Sequence, residues 1–467
     1  MAWTLEEILA ATGGRVAKPG KGARYGEIVT DSKLVKRNSV FVALKGERHD
    51  AHRFVGDAVH RGAACVVIHR PLPPATLGAA TAVRVGDTLR ALGDLAHYRR
   101  EKLAPKVLAI TGSNGKTTTK EMVAAIMAQG KLDGKTLRGR VLKTEGNFNN
   151  LVGLPLTLLR LTKKHRIAVV ELGTNHPGEI QRLAEIADPD LGVITSVAAA
   201  QLEGLKNLAG VAREKGALYH CIRRGGTIAV NLDDPWVRRL GAKVAGKKLT
   251  YGSTGQVRAR ALRMRDAHGM DFDLHHGRQQ ARIRLNYLGR HNVTNALGAA
   301  ALALGAGVSL AAVRRGLAQA KPFTMRMQPD NWRGIGILND SYNANPGSMQ
   351  AALETLALIG GRGKKIAVLG DMYELGKESG KAHRELGRIA AQTKIHQLYL
   401  LGVQAHQVRS GALRAGMKPE QVIIAADHGE VARRLSQELR RGDWLLVKGS
   451  RGMKMEKVLQ ELKSAKA

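Results

Sequence analysis

Val107-Leu-Ala-Ile-Thr-Gly-Ser-Asn-Gly-Lys-Thr-Thr-Thr-Lys-Glu121 is the stretch from which the rest of the chain can be read. Val107 to Ile110 form an apolar run that predicts a buried strand. Gly112 and Gly115 then allow a turn tight enough for the backbone N–H groups around Ser113 and Asn114 to face an anion. Lys116 adds a point charge, and Thr117 offers a hydroxyl to a magnesium ion. Thr118 opens a helix whose positive end favours phosphate. The spacing is G-x-x-G-K-T, with Ile110 where the longer phosphate-loop pattern has its first glycine. A strand, a glycine turn and a helix in this order predict a nucleotide-phosphate cradle.

A chain of 467 residues is too long for one ordinary core, so two to four domains are expected. The N-terminal residues read as an amphipathic helix with acids where an export signal needs bases. Ala296 to Val313 is apolar but rich in Ala and Gly, which predicts a packed helix and not a membrane span. Cys65 and Cys221 alone support neither a disulfide framework nor a cysteine metal site, and fit a reducing cytoplasm. The formal net charge is +35, yet the bases are dispersed and only 4% of residues are aromatic. Stacking platforms for nucleic acid are therefore few, and steering of anionic substrates is the expected consequence.

Outward from the loop, strand-then-helix units predict an α/β protein with mostly parallel sheets in three parts: 1–83, 84–319 and 320–467. The first part is a small α/β module with a polar cluster at Thr30 to Lys33, Phe41 to Arg48, and then His49, Asp50 and His52. Those residues fit solvated loops as well as a binding site. Asp87 is the predicted cap of a helix leading into the central part. Glu145 to Pro155 is an amide-rich loop, and Ile167 to Val170 is a buried strand ending at Glu171. A carboxylate at the C-terminal end of a parallel strand is placed to hold magnesium beside phosphates. Residues 249–288 alternate as antiparallel hairpins do. From about 320 a third α/β unit begins, again with polar sets at its strand tips.

Seven motifs in order make the chain resemble the Mur ligase family: Thr111–Glu121, Gly146–Asn150, Glu171-Leu-Gly with Gly178-Glu-Ile, Gly289–Asn295, Asp340–Pro346, Gly370–Gly376 and Lys448–Arg451. The resemblance spans essentially the whole chain. It implies a UDP-binding N-terminal domain, a central ATPase domain and a Rossmann-like C-terminal domain. The implied reaction is ATP-driven joining of D-Ala-D-Ala to UDP-N-acetylmuramoyl-tripeptide through an acyl phosphate, in peptidoglycan synthesis. Lys116, Glu171, Lys215 and Arg326 are then the catalytic set. The resemblance implies ATP contacts from Gly112 to Thr118 and from Asn292, Asn295, Arg326 and Asp340. It implies substrate contacts from Asp31, Ser32, Lys45, Gly46, Glu47, Arg48, Asn149, Asn150, Tyr342, Asn343 and Asn345. Magnesium falls to Thr117, Glu171, Gln201 and Lys215, the last of these carbamylated. A cytoplasmic monomer is implied.

The chain departs from the family pattern at Gln201, where a histidine is usual, and at Asn339, Met325 and Lys33. A glutamine can still offer magnesium an oxygen. Gln201 and the unusual basicity leave a noncatalytic protein that binds nucleotide or UDP precursor as the rival reading.

Overall fold

The computed structural model describes residues 2–46, 49–265 and 267–464. Contacts divide the chain into two compact units. One comprises Met1–Ala109, Gly139–Thr174 and Gly178–Asp190, and the other Ile110–Arg138, Asn175–Pro177 and Leu191–Ala467.

The first unit contains a five-stranded sheet in the order Arg15–Lys18, Thr81–Arg84, Cys65–Ile68, Val40–Val42, Ile28–Val29. All neighbours are parallel except the Arg15–Lys18 edge. Strand alternation sorts its side chains: Val40, Val42, Cys65 and Val67 pack with Trp3, Ile8 and Leu92 on one face. Phe41, Val66 and Ile68 pack with Val55 and Leu77 on the other. Burial pushes the Cys65 thiol up to about 12, so it is an inert core residue. Asp87 caps the Thr88–Leu103 helix as expected, accepting from the Leu89 and Arg90 N–H groups. Ile167–Glu171 pairs in parallel with Val141–Lys143.

In the second unit Leu191–Ile194, Thr227–Asn231 and Lys247–Tyr251 are parallel neighbours. Val257–Arg265, Gly269–His276 and Gln279–Leu285 form the expected antiparallel meander. A further six-stranded sheet runs Gln328–Trp332, Ile335–Asp340, Trp444–Lys448, Lys365–Leu369, Gln397–Leu400, Val422–Ile424. Only its first pair is antiparallel. Asp340 and Lys448 are direct partners in the parallel register, which sets their side chains together at one strand end.

One expectation needs correction. Ala296 to Val313 is not a single packed helix but the end of Arg290–Gly305 and the start of Leu310–Gln319. Gly307 takes a positive φ of 94°, and the Ser309 side chain caps the second helix, so glycine freedom and a cap divide the run.

The Ser379–Gln392 and Ala405–Arg414 helices cross closely because Gly387 and Gly411 lack side chains. A Cβ on Gly411 would lie 1.9 Å from the Arg384 carbonyl oxygen, and one on Gly387 2.0 Å from that of Val408. Backbone cannot yield as a flexible side chain does. Gly411→Ala is therefore expected to destabilise this unit by about 2–3 kcal/mol, read from thermal or urea midpoints. Unchanged midpoints would show that the helix crossing tolerates a methyl group.

Candidate functional site

The Lys106–Thr111 strand opens into the glycine loop, and the Lys116–Ala128 helix follows it. Gly112 and Gly115 have φ of 145° and 80°. A Cβ would meet Thr195 Oγ1 at 1.9 Å in the first case and Asn295 Oδ1 at 2.2 Å in the second. Only glycine fits either position. The loop is braced from Thr195 to Ala198: Ser113 N donates to the Ser196 carbonyl at 2.8 Å, and Asn114 N to Ser196 Oγ at 3.1 Å. Thr195 Oγ1 donates to the Asn114 carbonyl at 2.5 Å. Gly115 provides no side-chain cap, so the helix presents its first N–H groups as an anion site. Lys116 Nζ lies over the loop, donating to the Gly112 carbonyl at 2.6 Å.

This loop forms one wall of a cavity of about 340 Å³ lined wholly by the second unit. Ser113 to Thr118, Gln201, Asn292, Asn295, Arg326, Asp340, Tyr342, Asn343 and Asn345 all line it. Asn345 Nδ2 donates to Asn114 Oδ1 at 2.7 Å, tying a tip of the six-stranded sheet to the glycine loop. Lys448 Nζ reaches Asp340 Oδ2 at 2.6 Å, while Asp340 Oδ1 accepts from Met327 N at 2.9 Å. The Arg326 guanidinium stacks 4.2 Å from the Tyr342 ring centre, and its buried Nε has no hydrogen-bond partner. Asn295 Nδ2 donates to Asn292 Oδ1 at 3.0 Å, fixing both amides on one helix face. Gln201 sits in a left-handed conformation, φ 55°, with a buried, unpartnered Oε1.

Lys215 is buried on the Leu208–His220 helix and is not among the lining residues. Burial, then the neighbouring Lys116 charge, push its ammonium down to about 7 against the smaller pull of Glu214.

The Mur ligase middle domain matches residues 110–303, and the Mur ligase glutamate ligase domain matches 325–451. A UDP-N-acetylmuramoyl-tripeptide–D-alanyl-D-alanine ligase of Haemophilus influenzae is 36% identical over 438 residues, covering 94% of this chain and 93% of the relative. The chain belongs to the Mur ligase family. The corresponding ligase of Bacillus subtilis is 33% identical, with 98% of each chain covered. Among solved structures, MurF from Acinetobacter baumannii superposes with a TM-score of 0.91 at 33% identity, over 100% of this chain and 99% of that one. MurF from Thermotoga maritima, solved in complex with ADP, gives 0.81 at 26% identity over 94% and 97%. The three α/β domains with mostly parallel sheets expected from the sequence are those of this Mur ligase architecture.

The remaining expected site residues belong to the first unit. Glu171 is buried; its Oε1 accepts from Asn149 Nδ2 at 2.9 Å. Asn150 Oδ1 accepts from the Val152 and Gly153 N–H groups just ahead of the Gly153–Leu159 helix. Asp31 caps a short turn, accepting from Lys33 N at 2.9 Å beside Ser32. Lys45 pairs with Asp50 in an isolated bridge, and Gly46 N donates to the His49 carbonyl. Glu47 and Arg48 lie outside the described residues.

Sequence reading did not single out Thr195, Ser196, His291 or Glu374 as site residues, and read Lys448 only within a strand-tip motif, although all five line the cavity of this Mur ligase. His291 was visible only as part of Gly289–Asn295. Burial pushes its imidazole down to about 4, which favours the neutral ring. Nothing in the local sequence could have signalled Thr195 and Ser196, whose role as a brace depends on an adjacent strand.

Asn345 also caps the Pro346–Leu358 helix through a capping box with Ser348. Asn345→Ala removes both the cap and the tie to Asn114. The expected result is a loss of about 1 kcal/mol in stability together with a raised KM for ATP. A stability loss with unchanged KM would show that the Asn114 contact does not shape the loop.

Proposed function

We infer that the chain joins D-alanyl-D-alanine to UDP-N-acetylmuramoyl-tripeptide with cleavage of ATP, in the cytoplasm and as a monomer. The observation that carries this reading is the convergence in one cavity of the glycine loop, Asn292 and Asn295, and the Asp340–Asn345 strand tip. ATP would lie with its phosphates on Gly112 to Thr118 and its base toward Asn292, Asn295 and neutral His291. Arg326 and Asp340 would meet it from the six-stranded sheet. Tyr342, Asn343 and Asn345 would contact the peptide ends. Asp31, Ser32, Lys45 and Gly46, with Glu47 and Arg48, would hold the UDP portion, and Asn149 and Asn150 the precursor. The segments 1–83, 84–319 and 320–467 are assigned to precursor, ATP and dipeptide handling.

The chemistry asks for charge control. The tripeptide carboxylate attacks the γ-phosphorus of ATP and ADP leaves. The dipeptide amine then displaces phosphate from the resulting acyl phosphate. Lys116 would neutralise the transferring phosphoryl group, and Arg326 would supply a second positive charge. The oxygens of Thr117 and Gln201 suit a hard cation, and the unpartnered Gln201 Oε1 is the sign of a missing partner in the cavity. Magnesium held by Thr117, Gln201 and carbamylated Lys215 would offset the anionic charge of the phosphates. Carbamylation needs an uncharged amine: Lys215 Nζ bonds to CO2 carbon and releases one proton, leaving a carboxylate-like end. An ammonium held at about 7 is partly deprotonated at neutral pH, which meets that requirement.

The test is ADP and phosphate release from ATP with magnesium, bicarbonate, UDP-linked tripeptide and D-Ala-D-Ala, omitting each in turn. Release that requires both acceptors is expected. Tight binding of the UDP precursor without any release would favour a noncatalytic binding protein.

A further inference from the structure

We propose that the Glu374 carboxylate receives the ammonium group of the incoming dipeptide and takes its proton, a role that rests on the ligase reading above. Among the described residues lining the cavity, the charged side chains are Lys116, Arg326, Lys448, Asp340 and Glu374. Asp340 is paired with Lys448. Glu374 is therefore the carboxylate left to meet a cation in a cavity otherwise built for anions.

The backbone holds it there. Asp371 accepts from Val403 and Gln404 N–H groups at 2.9 and 3.0 Å, and Met372 N donates to His383 Nε2 at 2.9 Å. Tyr373 N donates to Ser450 Oγ at 2.8 Å, and Leu375 is buried in the core. Pinned on both sides, Glu374 adopts φ 62°, a left-handed conformation that costs a residue with a side chain about 1 kcal/mol or more. Its carbonyl accepts from Glu203 N at 3.2 Å, so it ties the six-stranded sheet's loop to the short Leu202–Leu205 helix that Gln201 opens. The charged groups facing it are Glu203 and Lys116. Glu374 is exposed on the cavity side, yet partial desolvation and the Glu203 charge push its carboxyl up, and Lys116 draws it back down.

The second half of the reaction needs such a group. A dipeptide α-amine is mostly protonated at neutral pH, and an ammonium has no lone pair for attack. In the proposed step one ammonium proton passes to the Glu374 carboxylate. The freed nitrogen bonds to the acyl-phosphate carbonyl carbon, the C–O bond to phosphate breaks, and the second N–H proton leaves with inorganic phosphate. Glu374 returns its proton to water.

The experiment compares wild type and Glu374→Gln with two acceptors, D-Ala-D-Ala and hydroxylamine, an amine already uncharged at neutral pH. The expected result is a drop of about 100-fold or more in dipeptide-dependent turnover, with tripeptide hydroxamate still formed at the wild-type rate. Wild-type dipeptide turnover in the variant overturns the proposal, as does an equal loss with both acceptors. Glu203→Gln provides a second reading. Removing the like charge lowers the Glu374 pKa, so the acid limb of kcat/KM for the dipeptide moves to lower pH; an unmoved limb overturns the proposal. Wild-type protein that makes neither product would instead sink the ligase reading itself.

Discussion

Lys116→Ala lowers ADP release in the complete reaction by about 10³-fold or more, the scale set by a charge that acts on a transferring phosphoryl group. The residue stands at the first position of the Lys116–Ala128 helix, with Nζ over the Gly112 and Ser113 carbonyls. Its charge adds to the N–H groups of an uncapped helix start, where anion stabilisation is concentrated. Alanine favours helix and keeps the backbone of the loop, which Thr195, Ser196 and Ala198 brace from outside. The variant is therefore expected to fold, with a circular dichroism spectrum and melting point close to wild type. Near-normal turnover would remove Lys116 from the chemistry and turn attention to Arg326 and Lys448.

Lys215 gives the second large effect, and its sign is set by burial. The pKa falls from 10.5 to about 7, so the folded protein resists a proton that the unfolded chain accepts. That difference corresponds to a cost of about 5 kcal/mol at most. The cost is absent above 10.5, grows as pH falls, and is complete below about 7. In CO2-free buffer the wild type should lose stability between about pH 10 and pH 7 relative to Lys215→Met, which has no such proton to exclude. Bicarbonate should stabilise the wild type and leave the methionine variant unchanged, because carbamylation replaces a repelled cation with an anion facing Lys116. Ligase turnover should follow the same split, with bicarbonate raising it only in the wild type. Parallel pH profiles for the two proteins, with or without bicarbonate, would show that Lys215 is neither strained nor modified.

Both predictions combine what was local in the sequence with what was not. Gly112, Gly115 and Lys116 announced their role through spacing alone, because a strand, a tight turn and a helix start depend on residues within one or two turns of chain. The Asp87 cap and the alternating core strands were legible for the same reason. The seven ordered motifs carried the family and, with it, the three-part architecture. The apolar run from Ala296 to Val313 misled, since composition recorded its burial while a single positive φ at Gly307 ended the helix.

What the sequence by itself determined is the phosphate loop, the strand and helix content, and the family. The tertiary structure alone decided which polar side chains share the cavity and what burial does to them. The bond from Asn345 to Asn114 spans 231 positions, and the Asp340–Lys448 pair exists because two distant strands align in register. The depressed Lys215 ammonium, the unpartnered Gln201 oxygen and the unpaired Glu374 carboxylate follow from surroundings supplied by other segments. Local conformation is set by neighbours along the chain, whereas charge state and partnership are set by neighbours in space, which only the packed fold assembles.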